Sequence, residues 1–129
     1  MRVDLHIHSN CSDSSRSPEE IALIAKNRNV GLLSVCDHGT IAAYDRLSNA
    51  CGQNGIRHVL GIELSALLED EDLHMLAYHF DRDNQDMKDL IDKLSQGDEC
   101  ESIVCSMSLD YPNMSLEDYS KFYLWKCLI

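Results

Sequence analysis

The apolar run Gly31-Leu32-Leu33-Ser34-Val35-Cys36 lies between two stretches of helical spacing, and no other feature narrows the fold as far. Strands covered by helices on both faces read this way, whereas strands with one wet face alternate. A buried parallel strand needs crossover connections, most often helices. The flanking sequence supplies them. Upstream, Ser17-Pro18-Glu19-Glu20 reads as an N-cap, a proline at the first helical position and a capping-box glutamate. They open a helix that carries Ile21, Ile24 and Ala25 and ends near Asn29. Downstream, Thr40 to Gln53 reads as a second helix with Asn54-Gly55 as its stop. Arg2 to Ile7 makes a first strand, with Val3, Leu5 and Ile7 on one side and His6 and His8 on the other, and Ile56 to Leu60 a third. Strand and helix in alternation specify βαβ units and an α/β fold with a parallel sheet.

Gly61 interrupts this pattern before Ile62 to Leu68, an acidic turn at Glu69 to Asp72, and a hairpin partner from Leu73 to Phe80. Met87, Leu90, Ile91 and Leu94 then share a helical face, and Ser115 with Asp118 caps a last helix. At 129 residues the chain fits one hydrophobic core. The formal net charge of −11 owes much to the stretch from Glu69 to Glu101, where twelve acids face Arg82, Lys88 and Lys93. That balance reads first as a solvated face, and it repels the backbone of duplex nucleic acid. A small anionic substrate remains compatible if metal ions reverse the sign inside a pocket. No run approaches the roughly 20 apolar residues of a membrane span, and no leader precedes the first strand, so a cytoplasmic protein is expected. The six cysteines are scattered without CxxC spacing and read as reduced thiols.

Chemistry-bearing side chains fall where the strands end: His6-x-His8, Asp13, Asp37-His38, Glu63 and His74. Parallel α/β sheets place their sites at that edge. An HxH on a strand points both imidazoles to one face, with Cα atoms roughly 6 to 7 Å apart, close enough to converge on one ion. Glu63 lies between Ile62 and Leu64 and points away from the core they face, so it can bridge to a second ion. Each piece has a plainer reading. HxH occurs by chance, Asp37 could cap the second helix, and His74 could be a satisfied core histidine. Their joint arrival at successive strand ends favours a metal site.

The ordered segments DLHIHSNCSDSSRSPEEI, LLSVCDHGTIAAY, VLGIELSA and LHMLAY resemble the PHP (polymerase and histidinol phosphatase) superfamily of metal-dependent phosphoesterases. The resemblance spans about Met1 to Asp81 and is nearest to the group of 3′,5′-nucleoside bisphosphate phosphatases and related RNA exonucleases. It implies the N-terminal part of a distorted (β/α)7 barrel over 1–81, followed by a helical segment over 82–129. It also implies two to three divalent ions. His6 and His8 would hold one, Glu63 would bridge to a second held by His74, and Asp13 and His38 would contribute to a third. Asp37 would orient a ligand from behind. A water between the ions would attack the phosphorus of a small phosphorylated metabolite or a nucleotide end. The mixed N/O donor set suits manganese, iron or zinc better than magnesium.

Ser14 and Gly39 depart from the family pattern at tolerant loop positions. Family members also draw ligands from a later histidine and a DxH-type motif, which this sequence lacks. His58 and His79 match no pattern and read as structural or surface residues. A truncated piece, or a homodimer or domain swap through apolar C-terminal surface, is therefore expected, with an incomplete metal-binding module as the competing function. Amide hydrolysis is disfavoured, because no lysine stands at a strand end to bridge two metals.

Overall fold

A computed structural model describes residues 1–68 and 71–95. Three parallel strands, β1 (Arg2–Ile7), β2 (Val30–Val35) and β3 (Arg57–His58), form a sheet in that order. The crossovers are α1 (Pro18–Asn27) and α2 (Tyr44–Asn54). An antiparallel hairpin of β4 (Gly61–Leu68) and β5 (Glu71–Tyr78) follows, then α3 (Gln85–Ser95). The fold is α/β, as the sequence predicts. The final helix expected around Ser115 and Cys100, Cys105 and Cys127 lie outside the described residues. Cys11, Cys36 and Cys51 are free thiols.

Local signals act where expected. The Ser17 side chain accepts from the Glu20 backbone N–H while the Glu20 carboxylate accepts from the Ser17 N–H, a complete capping box. Asn29, just past α1, and Gly55, closing α2, both turn the chain through the left-handed region, at φ of 58° and 68°. The main core is layered between sheet and helices: Ile21, Ala22 and Ala25 of α1 and Leu47, Ala50 and Cys51 of α2 enclose Leu33 and Val35 of β2. A second cluster, Ile62, Leu64 and Met75, is covered by Leu90, Ile91 and Leu94 of α3. No helix among the described residues is long and apolar enough to cross a membrane.

The helices are also clamped outside the core by Arg46, whose Nε and Nη2 lie 2.9 and 2.7 Å from the two Glu19 oxygens. Those hydrogen bonds hold the Glu19 carboxyl at about 2, against an ordinary 4.5. A depressed carboxyl stabilises the fold above its unfolded pKa, and the contribution disappears as pH falls from about 4.5 through 2. Carboxyl titration by NMR is expected to place Glu19 near 2 and to return it towards 4.5 in Arg46→Ala. A wild-type midpoint at 4.5 would refute the clamp.

Three boundaries differ from expectation. The second helix starts at Tyr44 rather than Thr40, because residues 40–43 turn so that Ile41 packs against the hairpin cluster and the Thr40 hydroxyl accepts from the Ala42 N–H. Its N-cap is Ala43 without a side-chain bond, so Asp37 does not cap it. The third strand shrinks to two residues, since the Ile56 N–H is spent on the Cys51 carbonyl at the end of α2. Gly61 opens β4 instead of interrupting a strand.

A Cβ on Gly61 would lie 2.6 Å from Cys36 Sγ and closer still to Ser34 Oγ. The hairpin reaches the sheet only because that position is bare. Gly61→Ala is expected to cost roughly 1–3 kcal/mol through overpacking, read as a lower melting temperature. A variant melting with the wild type would show that the contact relaxes freely.

Candidate metal centre

Beyond Val35 the chain stays extended, and β4 begins beside it. The Glu63 N–H donates to the Asp37 carbonyl at 3.1 Å and the Gly39 N–H to the Glu63 carbonyl at 2.9 Å, pairing His38 with Glu63 in parallel. Glu63 is thereby carried to the carboxyl ends of β1 and β2, where His6, His8 and His38 stand. Across the hairpin, β5 presents His74 on the same side.

Glu63 is the hub. Its Oε2 lies 3.0 Å from His6 Nε2, 3.1 Å from His8 Nε2 and 3.7 Å from His38 Nε2, while Oε1 lies 2.8 Å from His74 Nδ1. The side chain is only 5% exposed. Burial alone would raise the carboxyl, but the His6 hydrogen bond, the charges of His38 and His6 and the His74 hydrogen bond outweigh it and hold it below its ordinary value. Asp13 approaches from the loop after β1, with Oδ1 3.2 Å from His8 Nδ1 and Oδ2 3.6 Å from His38 Nε2. His8 Nδ1 is buried and makes no hydrogen bond of proper geometry even to that nearby carboxylate.

Potential ligand atoms fall into three overlapping groups within 4.8 Å: His6, His8 and Glu63; His8, Asp13 and His38; His38, Glu63 and His74. All six residues singled out in the sequence as ligands are therefore brought together. The donor chemistry fits divalent cations. Two imidazole nitrogens 3.1 Å apart, His6 Nε2 and His8 Nε2, face the same carboxylate oxygen. Protonating both would set two positive rings against each other, whereas lone pairs directed at a shared cation satisfy them together.

Asp37 stands behind the cluster, 1% exposed. Its oxygens accept from the Ser9 N–H and the Ser9 hydroxyl, each at 2.6 Å, and from the Ser12 hydroxyl at 2.7 Å. It thus pins the loop that carries Asp13. Sequence reasoning placed Ser9 and Ser12 in the loop after the HxH pair without this role; Ser9 directly following His8 and Ser12 directly preceding Asp13 is the signal that could have found it. His58 lies apart, half-buried against the Tyr44 ring at 4.9 Å, and burial lowers its pKa. His79 is exposed at φ 54° after β5.

The family model described as PHP domain matches residues 4–128. A 5′-3′ exoribonuclease of Haemophilus influenzae is 36% identical over 90 residues, covering 70% of this chain and 33% of that protein. A 3′,5′-nucleoside bisphosphate phosphatase of Chromobacterium violaceum is 29% identical over 79 residues, covering 61% and 28%. The chain spans about a third of the length of the curated relatives it matches. Among solved structures, an amidohydrolase of Chromobacterium violaceum with bound sulfate superposes with a TM-score of 0.72 at 23% identity, over 89% of this chain and 40% of that one. A candidate metal-dependent phosphoesterase of Bifidobacterium adolescentis gives 0.68 at 24% identity, over 97% and 44%.

Proposed function

Because the chain belongs to the PHP domain family, we propose that it serves metal-dependent hydrolysis of phosphate esters, with a small phosphorylated metabolite or a nucleotide end as substrate. The observation that carries this reading is the Glu63 carboxylate ringed by His6, His8, His38 and His74, with Asp13 at its margin. The names of the two relatives, an exoribonuclease and a nucleoside bisphosphate phosphatase, support a nucleotide end among phosphate esters. The acidic balance supports a small substrate over duplex nucleic acid.

His6, His8 and Glu63 would hold one divalent ion, Glu63, His38 and His74 a second, and His8, Asp13 and His38 a third. Ions so held polarise phosphate oxygens and lower the pKa of a coordinated water. Buried Glu63 sets the charge at the centre, and Asp37 holds the Asp13 loop against its rim. The nitrogen-rich donor set favours manganese, iron or zinc over magnesium.

The competing reading is a metal-binding module that holds ions without turnover. Elemental analysis of the purified chain, with hydrolysis of p-nitrophenyl phosphate in added manganese, separates the two. Metal with turnover is expected, and metal without turnover would sink the hydrolase reading for these 129 residues. His8→Ala is expected to lower ion affinity at least about 100-fold and activity with it, whereas His58→Ala should spare both. Equal behaviour of the two variants would refute the site.

A further inference from the structure

The ligands come from two separately hydrogen-bonded sheets: His6 from β1, with His8 just beyond it, and Glu63 and His74 from the β4–β5 hairpin. Backbone bonds join the hairpin to the residues after β2, through Asp37 and Gly39. Its tie to the backbone of β1 runs through a side chain: the Tyr78 hydroxyl donates to the Leu5 carbonyl at 2.8 Å. We propose that Tyr78 is a positioning residue for the metal centre, fixing the height of His6 against Glu63 by holding the peptide immediately before His6. The inference rests on the metal-centre reading above.

Three further observations support it. The β1–β2 ladder loses its regular register between Asp4 and Ile7, the stretch that contains Leu5 and His6. At that break the Leu5 carbonyl also receives the Cys36 thiol, at 3.3 Å, so side chains brace the backbone where the ladder is irregular. Tyr78 is paired with Gly61, and its ring edge lies 3.3 Å from where a Gly61 Cβ would sit, so the bare glycine leaves room for the ring. Burial pushes the phenol above its ordinary value, with Cys36 and Glu63 adding to the effect.

The role is selective. The group His6, His8 and Glu63 spans β1 and the hairpin, whereas the group His8, Asp13 and His38 contains no side chain of the hairpin. The test is cobalt(II) titration of the full chain, followed by visible absorption, in wild type and Tyr78→Phe, which keeps the ring and removes the hydroxyl. The expected result is one ion weakened about tenfold or more, with an altered absorption band, and the remaining affinity unchanged. Equal affinities throughout, or a uniform loss at every ion together with a changed circular dichroism spectrum, would overturn the proposal alone. A wild type that binds no cobalt would overturn the metal centre itself. A second measurement needs no substitution: zinc added to isotopically labelled wild type is expected to shift the Leu5 carbonyl and the Tyr78 ring together with His6, and a Tyr78 ring unmoved while His6 shifts contradicts the strap.

Discussion

Glu63→Gln is expected to remove ion binding at the two ligand groups that contain Glu63, with affinity for manganese there falling at least about 100-fold and phosphoester hydrolysis falling below detection. The size of the effect follows from position. Glu63 belongs to two of the three ligand groups, and its two oxygens face four different imidazoles. Glutamine keeps the volume but removes the negative charge and replaces one acceptor with a donor that cannot bind a cation. Losing any single histidine leaves the carboxylate in place; losing the carboxylate removes the anion around which the others are arranged. Isothermal titration with manganese, beside a circular dichroism spectrum to establish the fold, measures this. A variant that binds manganese like the wild type would mean that Glu63 is a structural acid hydrogen-bonded to histidines and nothing more.

Asp37→Ala is expected to destabilise the chain by about 2–4 kcal/mol, since each charge-assisted hydrogen bond to a buried carboxylate is worth roughly 1.5–3 kcal/mol and its loss strands buried donors. The Ser9 N–H and the Ser9 hydroxyl lose their acceptor on a fully buried residue, while the Ser12 hydroxyl is left with the Asp13 carboxylate at 3.2 Å. For a domain of this size that corresponds to a drop in melting temperature of roughly 10–20 °C. The functional consequence is local. With the loop unpinned, Asp13 no longer has a fixed place beside His8 and His38, so ion binding there should weaken more than at Glu63 and His74. Thermal melts and metal titrations report the two effects separately. Unchanged stability would mean that water replaces the carboxylate without cost.

The residues that meet in the cluster were legible through local rules. His6 and His8 follow the two-residue period of a strand, and Glu63 is a charge inside an apolar one. Ser17 to Glu20 and Gly55 announced helix ends in their own chemistry. What stayed hidden depends on partners far along the chain. The role of Asp37 needed the serines 25 and 28 residues earlier, and the Tyr78 hydroxyl finds its acceptor 73 residues away. The late start of α2 is of the same kind, since Ile41 is drawn out of the helix by a hairpin that the local pattern does not mention. Gly61 reads locally as a breaker, and only the packed Ser34 and Cys36 show that the position excludes a side chain.

The division of the candidate ligands between a parallel sheet and a separate hairpin would have a thermodynamic consequence once an ion is bound. An ion gripped from both sides would act as a cross-link between segments as far apart as His6 and Glu63, closing a long loop that the unfolded chain leaves open. Its binding free energy would then also be folding free energy, so that ion supply and the fraction of folded chain would form a single coupled equilibrium.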